Sequence, residues 1–280
     1  MYRASERGHL NMVKILVEHG AMLDFRTQLG YTSLMQAAAC GHAEIVKLLL
    51  EKGASPKVKS RDGNTALMSA AKNGSDAIVR LLIEFGADPN ETNYSGTSPL
   101  CWAAFLGHTD VARTLLDYGA AVDHQDRDGL SALIWAAIGG HDSAIDVVLD
   151  RGANIDGKDN SGDTALIRAA ANGALTTVQK LLDRGADIEA LTGDNSNSLI
   201  LAAGKGKERM VRLLLERGVN IHAKDDRGYS ALTVSALNGH HHIVKLLLDF
   251  GANIDDAQED GSTALILASM NDHDATVELL

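Results

Sequence analysis

The stretch from Asp159 to Ala186, DNSGDTALIRAAANGALTTVQKLLDRGA, decides the fold. After its first glycine, Leu166 and an alanine pair follow at the spacing of one apolar helix face. After Gly173, a second apolar face runs through Val178 and two leucines. Each predicted helix has only about two to three turns, which is too short to be stable alone. The stretch therefore predicts a helix pair that packs against similar pairs.

The same pattern returns every 33 residues along the whole chain. Three series of glycines follow this period, beginning at Gly8, Gly20 and Gly30, and together they contain 23 of the 27 glycines. One position within these series carries Asn195, and asparagine tolerates positive φ better than most other residues. The 280 residues therefore correspond to about 8.5 units of one array.

A hydroxyl or amide side chain stands two residues after the third-series position in every unit. It can accept the unpaired amide N–H groups at the start of the next helix. The predicted unit is thus a turn, a short helix, a tight turn, a second helix and an extended loop. The predicted caps are Thr32, Thr65, Ser98, Ser131, Thr164, Asn197, Ser230 and Thr263.

This unit resembles the ankyrin repeat, D-x-x-G-x-T-A-L-x-x-A-A-x-x-G-H-x-x-I-V-x-L-L-x-x-G-A, over essentially the whole chain. The resemblance implies an all-α solenoid of stacked helix–turn–helix pairs with hairpin-like finger loops, and a surface that binds proteins. The chain departs from the family's T-P-L-H tetrapeptide, because the His is absent from every repeat and the Pro survives only at Pro99. We expect an apolar residue to pack in place of that His.

We expect a single array over 1–280. A partial repeat at each end follows from the register, and end repeats of solenoids need polar outer faces that this sequence does not supply. We therefore expect the chain to be a segment or one end of a longer array. The predicted repeats are 1–26 (partial), 27–59, 60–92, 93–125, 126–158, 159–191, 192–224, 225–257 and 258–280 (partial).

Composition and motifs argue against several classes of function. The net charge of -11 argues against nucleic-acid binding by phosphate neutralisation. No apolar run approaches the roughly 18 residues of a membrane span. No catalytic, phosphate-loop or metal-ligand spacing occurs, so we expect no enzyme activity, no cofactor and no metal site, even at His240–His242. Two cysteines, Cys40 and Cys101, fit a reducing, cytoplasmic compartment, with the nucleus left open.

The candidate binding residues stand at positions that the repeat leaves free. In the family these positions are the finger tips and the exposed side of the first helices, which line one concave groove. Both tryptophans occupy the same place on adjacent repeats, and aromatic residues are enriched in interfaces. The same rings can also pack between repeats without binding, so both roles stay open. The predicted exposed set, with flanking cations, is Tyr94, Trp102, Phe105, Leu130, Trp135, Ile138, Lys72 and Arg168.

Two functional hypotheses follow from the resemblance. The first is a non-catalytic scaffold or adaptor that binds a protein partner through the groove. The second is a regulatory or targeting segment of a larger enzyme, channel or pathogen effector. The resemblance also marks Asn90 as a position where an asparaginyl hydroxylase can act, although we favour an unmodified, loop-capping Asn.

Overall fold

Eighteen α-helices and no β-strand make up the computed structural model, which describes residues 1–280. Each predicted repeat contains one pair, a first helix and a second helix. The first helices are α1 Tyr2–Glu6, α3 Ser33–Ala39, α5 Ala66–Asn73, α7 Pro99–Phe105, α9 Ala132–Gly139, α11 Ala165–Asn172, α13 Ser198–Gly204, α15 Ala231–Leu237 and α17 Ala264–Met270. The second helices are α2 Leu10–Glu18, α4 Ala43–Glu51, α6 Asp76–Glu84, α8 Thr109–Asp117, α10 Asp142–Asp150, α12 Leu175–Asp183, α14 Glu208–Glu216, α16 His241–Asp249 and α18 Asp274–Val277.

The glycine series mark the positions where the backbone is left-handed. All 23 of their glycines have positive φ, and Asn195 has φ 60°, as its place in the third series predicts. Asp272, with φ 56°, occupies the next position of the first series, which the sequence analysis missed. Gly74 shows a second reason for glycine, because a Cβ there would lie 2.6 Å from Nδ1 of His108. Glycine therefore allows both the turn and the close approach of the next repeat.

The predicted caps are confirmed at all eight positions, where each side chain accepts an N–H from the first turn of its helix. Thr32, for example, accepts from the Met35 amide at 3.2 Å. Seven of the eight leucines at the Leu166 position are buried. Leu265, on α17, is the exception and is 43% exposed.

The helices form two compact units, Met1–Asn154 and Ile155–Leu280. In the N-terminal unit, consecutive first helices pack from α1 to α9 and consecutive second helices from α2 to α10. Backbone bonds join successive fingers, as from the Tyr94 amide to the Asp62 carbonyl at 3.0 Å. The His108 ring bonds through Nε2 to the Lys72 carbonyl at 3.1 Å. The unit is thus held by apolar packing and by bonds between neighbouring repeats.

The C-terminal unit repeats this construction within itself. First helices α11 to α17 and second helices α12 to α18 pack in chain order. Its fingers are joined by the bond from the Asp226 amide to the Asp194 carbonyl at 3.0 Å. His240 bonds through Nε2 to the Gly204 carbonyl at 3.2 Å. In neither unit is any helix both long and apolar enough to cross a lipid bilayer.

Candidate protein-binding surface

The two tryptophans meet because equivalent positions on neighbouring first helices face the same way. Trp102 on α7 and Trp135 on α9 stack with ring centroids 6.2 Å apart and an interplanar angle of 30°. Phe105 contacts Trp135 edge-on at 5.1 Å. The Nζ of Lys72, on α5, lies 3.7 Å from the centroid of the Trp102 ring. We call these four residues the aromatic cluster.

The expectation of a wholly exposed patch needs correction. Of the six apolar residues in the predicted set, only Tyr94 is exposed, at 56%, while the others are half-buried. The reason is that rings on adjacent repeats cover one another. Tyr94 lies on the finger loop of the fourth repeat, next to the finger of the third repeat. A Cβ on Gly63 there would be 2.9 Å from the Cδ1 atom of Tyr94. Leu130 and Ile138 form no part of the ring contacts and keep some exposure beside them.

Asp126 links the finger of the fifth repeat to the tryptophan of its first helix. Its Oδ1 accepts the amides of Asp128 and Leu130, at 3.0 and 2.9 Å, and so closes the turn. Its Oδ2 accepts the Nε1–H of Trp135 at 3.0 Å. One carboxylate therefore fixes both the finger and the ring, an arrangement that the sequence analysis missed. The sequence feature that could have predicted this contact is the position of Asp126 nine residues before Trp135.

The fourth repeat carries Asn93 in place of that Asp. The Asn93 Oδ1 accepts the amides of Ser95 and Thr97 at 3.0 and 2.9 Å, as the Asp does. Its second atom is a nitrogen, which donates to Asn64 Oδ1 at 3.3 Å and cannot accept. The Nε1–H of Trp102 is accordingly buried without an acceptor. Such a donor costs about 1–3 kcal/mol when left unpaired.

Lys72 is a cation that has been partly removed from water. It is half-buried, and burial lowers the pKa of its ammonium group, while the carboxylate of Asp62 acts in the opposite direction. No hydrogen bond or ion pair holds its Nζ, which lies over the face of the Trp102 ring. The lysine also borders an open depression of about 260 Å³ lined by Tyr31, Ala39, Asn64, Met68, Ser69, Lys72 and Asn73.

Arg168, the candidate flanking cation in the C-terminal unit, is engaged within its own repeat. Its guanidinium bonds to Oδ2 of Asp159 from Nε at 2.9 Å and from Nη2 at 2.5 Å. It also lies 3.1 Å from Asp163, whose pKa is raised by burial and lowered in turn by the guanidinium. The side chain of Asp159 is fully buried. Arg168 thus compensates a buried carboxylate, a role that the sequence analysis did not assign.

Asn90 bridges two loops of the N-terminal unit. Its Oδ1 accepts the Ala121 amide at 2.8 Å, and its Nδ2 donates to the Gly119 carbonyl at 2.9 Å. Asp123 occupies the equivalent place one repeat later and accepts the Asn154 amide at 2.9 Å. The geometry of Asn90 is that of a loop cap. The chain contains no group of three or more His, Cys, Asp or Glu side chains placed to hold a metal ion.

A family model described as ankyrin repeats matches residues 1–62, 55–126, 119–192 and 199–280. The chain belongs to the ankyrin-repeat family. Ankyrin repeats are generally protein–protein interaction modules, and they are typically non-catalytic. No match was found among curated proteins. The ankyrin-repeat assignment confirms the all-α repeat solenoid that the resemblance to this family implied.

Proposed function

We propose that this ankyrin-repeat chain is a non-catalytic scaffold or adaptor, and that it binds a protein partner through the surface around the aromatic cluster. Tyr94, Leu130 and Ile138 complete this surface, within the N-terminal unit. The two thiols support a reducing, cytoplasmic setting, since both are free.

The aromatic cluster is the observation that carries this proposal. The chain is only 4% aromatic, yet both of its tryptophans and one of its four phenylalanines meet at one place. Rings of this kind dominate interface energies when surrounding contacts exclude water. Here the rings are half-buried before any partner arrives, so they are already ordered and lose little side-chain entropy on binding.

The test compares proteins captured from a cell extract by the intact chain and by variants, with quantitative mass spectrometry. Trp102→Ala and Trp135→Ala should each weaken the partner's binding by at least about 2 kcal/mol. Tyr118→Ala removes an exposed aromatic ring at the end of α8 and serves as the matched control. The proposal is wrong if a captured protein binds the two Trp variants and the control equally well while all three remain folded.

Hydroxylation of Asn90 stays a prediction, and we favour the unmodified residue. Both polar atoms of its side chain are hydrogen-bonded, so an enzyme must first open the loop to reach its Cβ. We expect no mass shift on the Asn90 peptide after co-expression with an asparaginyl hydroxylase. A shift of one oxygen atom on that peptide would show that the loop opens and that the residue is a substrate.

A further inference from the structure

We propose that the aromatic cluster recognises an acidic side chain, Asp or Glu, flanked by apolar residues in an extended segment of the partner. The carboxylate would contact Lys72, and the apolar neighbours would lie on Trp135 and Phe105. This inference rests on the proposed function, because it names the chemistry of the partner that the same surface binds.

The first support is the unpaired cation. An ammonium group has three N–H donors, and nothing in the chain accepts from Nζ of Lys72. The lysine is held over the Trp102 ring and is half-buried, so it has already lost part of its hydration, and this burial lowers the pKa of its ammonium group. A carboxylate that arrives there meets a preorganised charge, so less water has to be removed on binding than at a fully hydrated lysine.

The second support is the second unpaired donor in the same place. The Trp102 ring below Lys72 carries the Nε1–H that has no acceptor. Two positions of one surface thus lack an acceptor, whereas the equivalent Trp135 donor is paired with Asp126. Charge-assisted bonds from N–H groups to a carboxylate are stronger than neutral bonds. An acidic side chain that contacts Lys72 supplies the acceptor that the ammonium group lacks, and it reaches the buried indole N–H when the Trp102 ring shifts on binding.

The local charges agree with an acidic occupant despite the net charge of -11. Asp62 is the one carboxylate that raises the Lys72 pKa, and it lies outside ion-pair distance of Nζ. Asp126 already accepts three N–H groups, which spread its charge. Charges elsewhere on the surface are screened over about 8–10 Å at physiological salt. Lys72 is therefore the charge that makes this part of the surface prefer an acidic side chain.

The shape of the surface fits a chain segment rather than a small ligand. The depression beside Lys72 is open and has about 260 Å³, enough for one side chain, and it is lined by Met68 together with polar groups of Asn64 and Ser69. The stacked rings continue from Lys72 to Trp135 over two further repeats. An extended segment can place successive side chains on these neighbouring sites.

The experiment selects short random peptides, displayed on phage, for binding to the intact chain, and then measures the affinities of synthetic copies. We expect the enriched peptides to carry Asp or Glu beside an apolar residue. Lys72→Met keeps the length of the side chain and removes the charge, and it should weaken these peptides about tenfold or more. Lys57→Met, at an exposed loop lysine, is the matched control and should change nothing.

A reversed charge sharpens the test, since selection on Lys72→Glu should enrich peptides with Lys or Arg instead. If the enriched peptides depend on Trp135 but carry no acid and tolerate Lys72→Met, the acidic preference is overturned while the proposed function stands. If they tolerate Trp102→Ala and Trp135→Ala as well, both proposals fall. A library that yields no enriched peptide counts against both. Circular dichroism confirms that each variant is folded.

Discussion

The fourth and fifth repeats place a tryptophan at the same position, but the two rings differ in their bonding. Trp135 is held by Asp126, which also closes the finger turn. Trp102 has Asn93 at the corresponding finger position, and its indole N–H is left without an acceptor. The two repeats therefore differ by one atom, an oxygen in Asp126 and a nitrogen in Asn93. The oxygen fixes the Trp135 ring, whereas the nitrogen leaves the indole N–H of Trp102 without an acceptor.

The two repeats therefore contribute different properties to the aromatic cluster. The fifth repeat supplies a rigid platform, because the Trp135 ring is bonded at its edge and contacted by Phe105. The fourth repeat contributes an unpaired hydrogen-bond donor, the indole N–H of Trp102. The ammonium group of Lys72, which lies over the same ring, also has no acceptor. Buried polar groups that the fold leaves unpaired deserve a functional explanation, and the partner's carboxylate provides one.

The largest effect on folding should come from truncating the fixed ring. Trp135→Ala should cost about 3 kcal/mol in free energy of unfolding, the low end for a tryptophan because the ring is half-buried. Trp102→Ala should cost about 1 kcal/mol less, since it also removes an unpaired donor. Urea unfolding followed by circular dichroism measures both. Equal costs would contradict the proposed difference between the two rings.

The second prediction makes the fifth repeat resemble the fourth. Asp126→Asn keeps an oxygen for the two turn amides but presents nitrogen to Trp135. The free energy of unfolding should fall by about 1–2 kcal/mol, because the indole N–H then loses its acceptor. Asp123→Asn, in the preceding loop, is a suitable control for the loss of charge, since its oxygen still accepts the Asn154 amide. An unchanged urea midpoint for Asp126→Asn would mean that the Trp135 bond adds nothing.

The reverse change should stabilise the fourth repeat. Asn93→Asp offers an acceptor to Trp102 but loses the long bond that Asn93 donates to Asn64, so we expect a net gain of about 0.5–1 kcal/mol in free energy of unfolding. Partner binding should weaken at the same time, because the new carboxylate occupies the donor and attracts Lys72. In the double variant with Asp126→Asn, the two changes in stability should roughly cancel. A destabilised Asn93→Asp chain with unaltered binding would break the comparison.

The smallest effect on folding is expected for Lys72→Met, within about 0.5 kcal/mol at neutral pH. Loss of a cation–π contact worth about 0.5–1 kcal/mol is offset by relief of a partly desolvated charge. Because the pKa of Lys72 in the folded chain lies below the ordinary 10.5, the unfolded chain binds the lysine proton more tightly than the folded chain does. This difference acts at pH values between the folded pKa and 10.5. The native chain should therefore gain stability relative to Lys72→Met as the pH rises through that window, which urea titrations at several pH values can measure.

The fold could be predicted from the sequence because the residues that form the turns and the helix caps recur at the same positions in every repeat. Glycine, or Asn195 in its place, identified the left-handed positions, and the hydroxyl or amide residues identified the caps. Asp272 was missed because an aspartate rarely adopts positive φ, and only its place in the period indicates it.

The candidate surface was predicted only in part. Periodicity placed Trp102 and Trp135 side by side, but it gave no measure of how far their rings would cover each other. The contacts of Asp126 and Arg168 depend on a finger residue reaching the helix nine positions later. Such a reach requires the angle between finger and helix, which apolar spacing does not contain. The aligned series of Asn93, Asp126 and Asp159 was the one sequence signal for it.

The most direct test of the proposed binding surface uses the two tryptophans as its only reporters. Proton–nitrogen correlation spectra of the intact chain contain two indole N–H signals, one for each tryptophan, assigned with Trp102→Phe and Trp135→Phe. On titration with a selected acidic peptide, both signals should shift and saturate with one dissociation constant. The Trp102 signal should move further, since its N–H has no acceptor in the free chain. If calorimetry shows that the peptide binds while both indole signals stay in place, the aromatic cluster is not the binding surface.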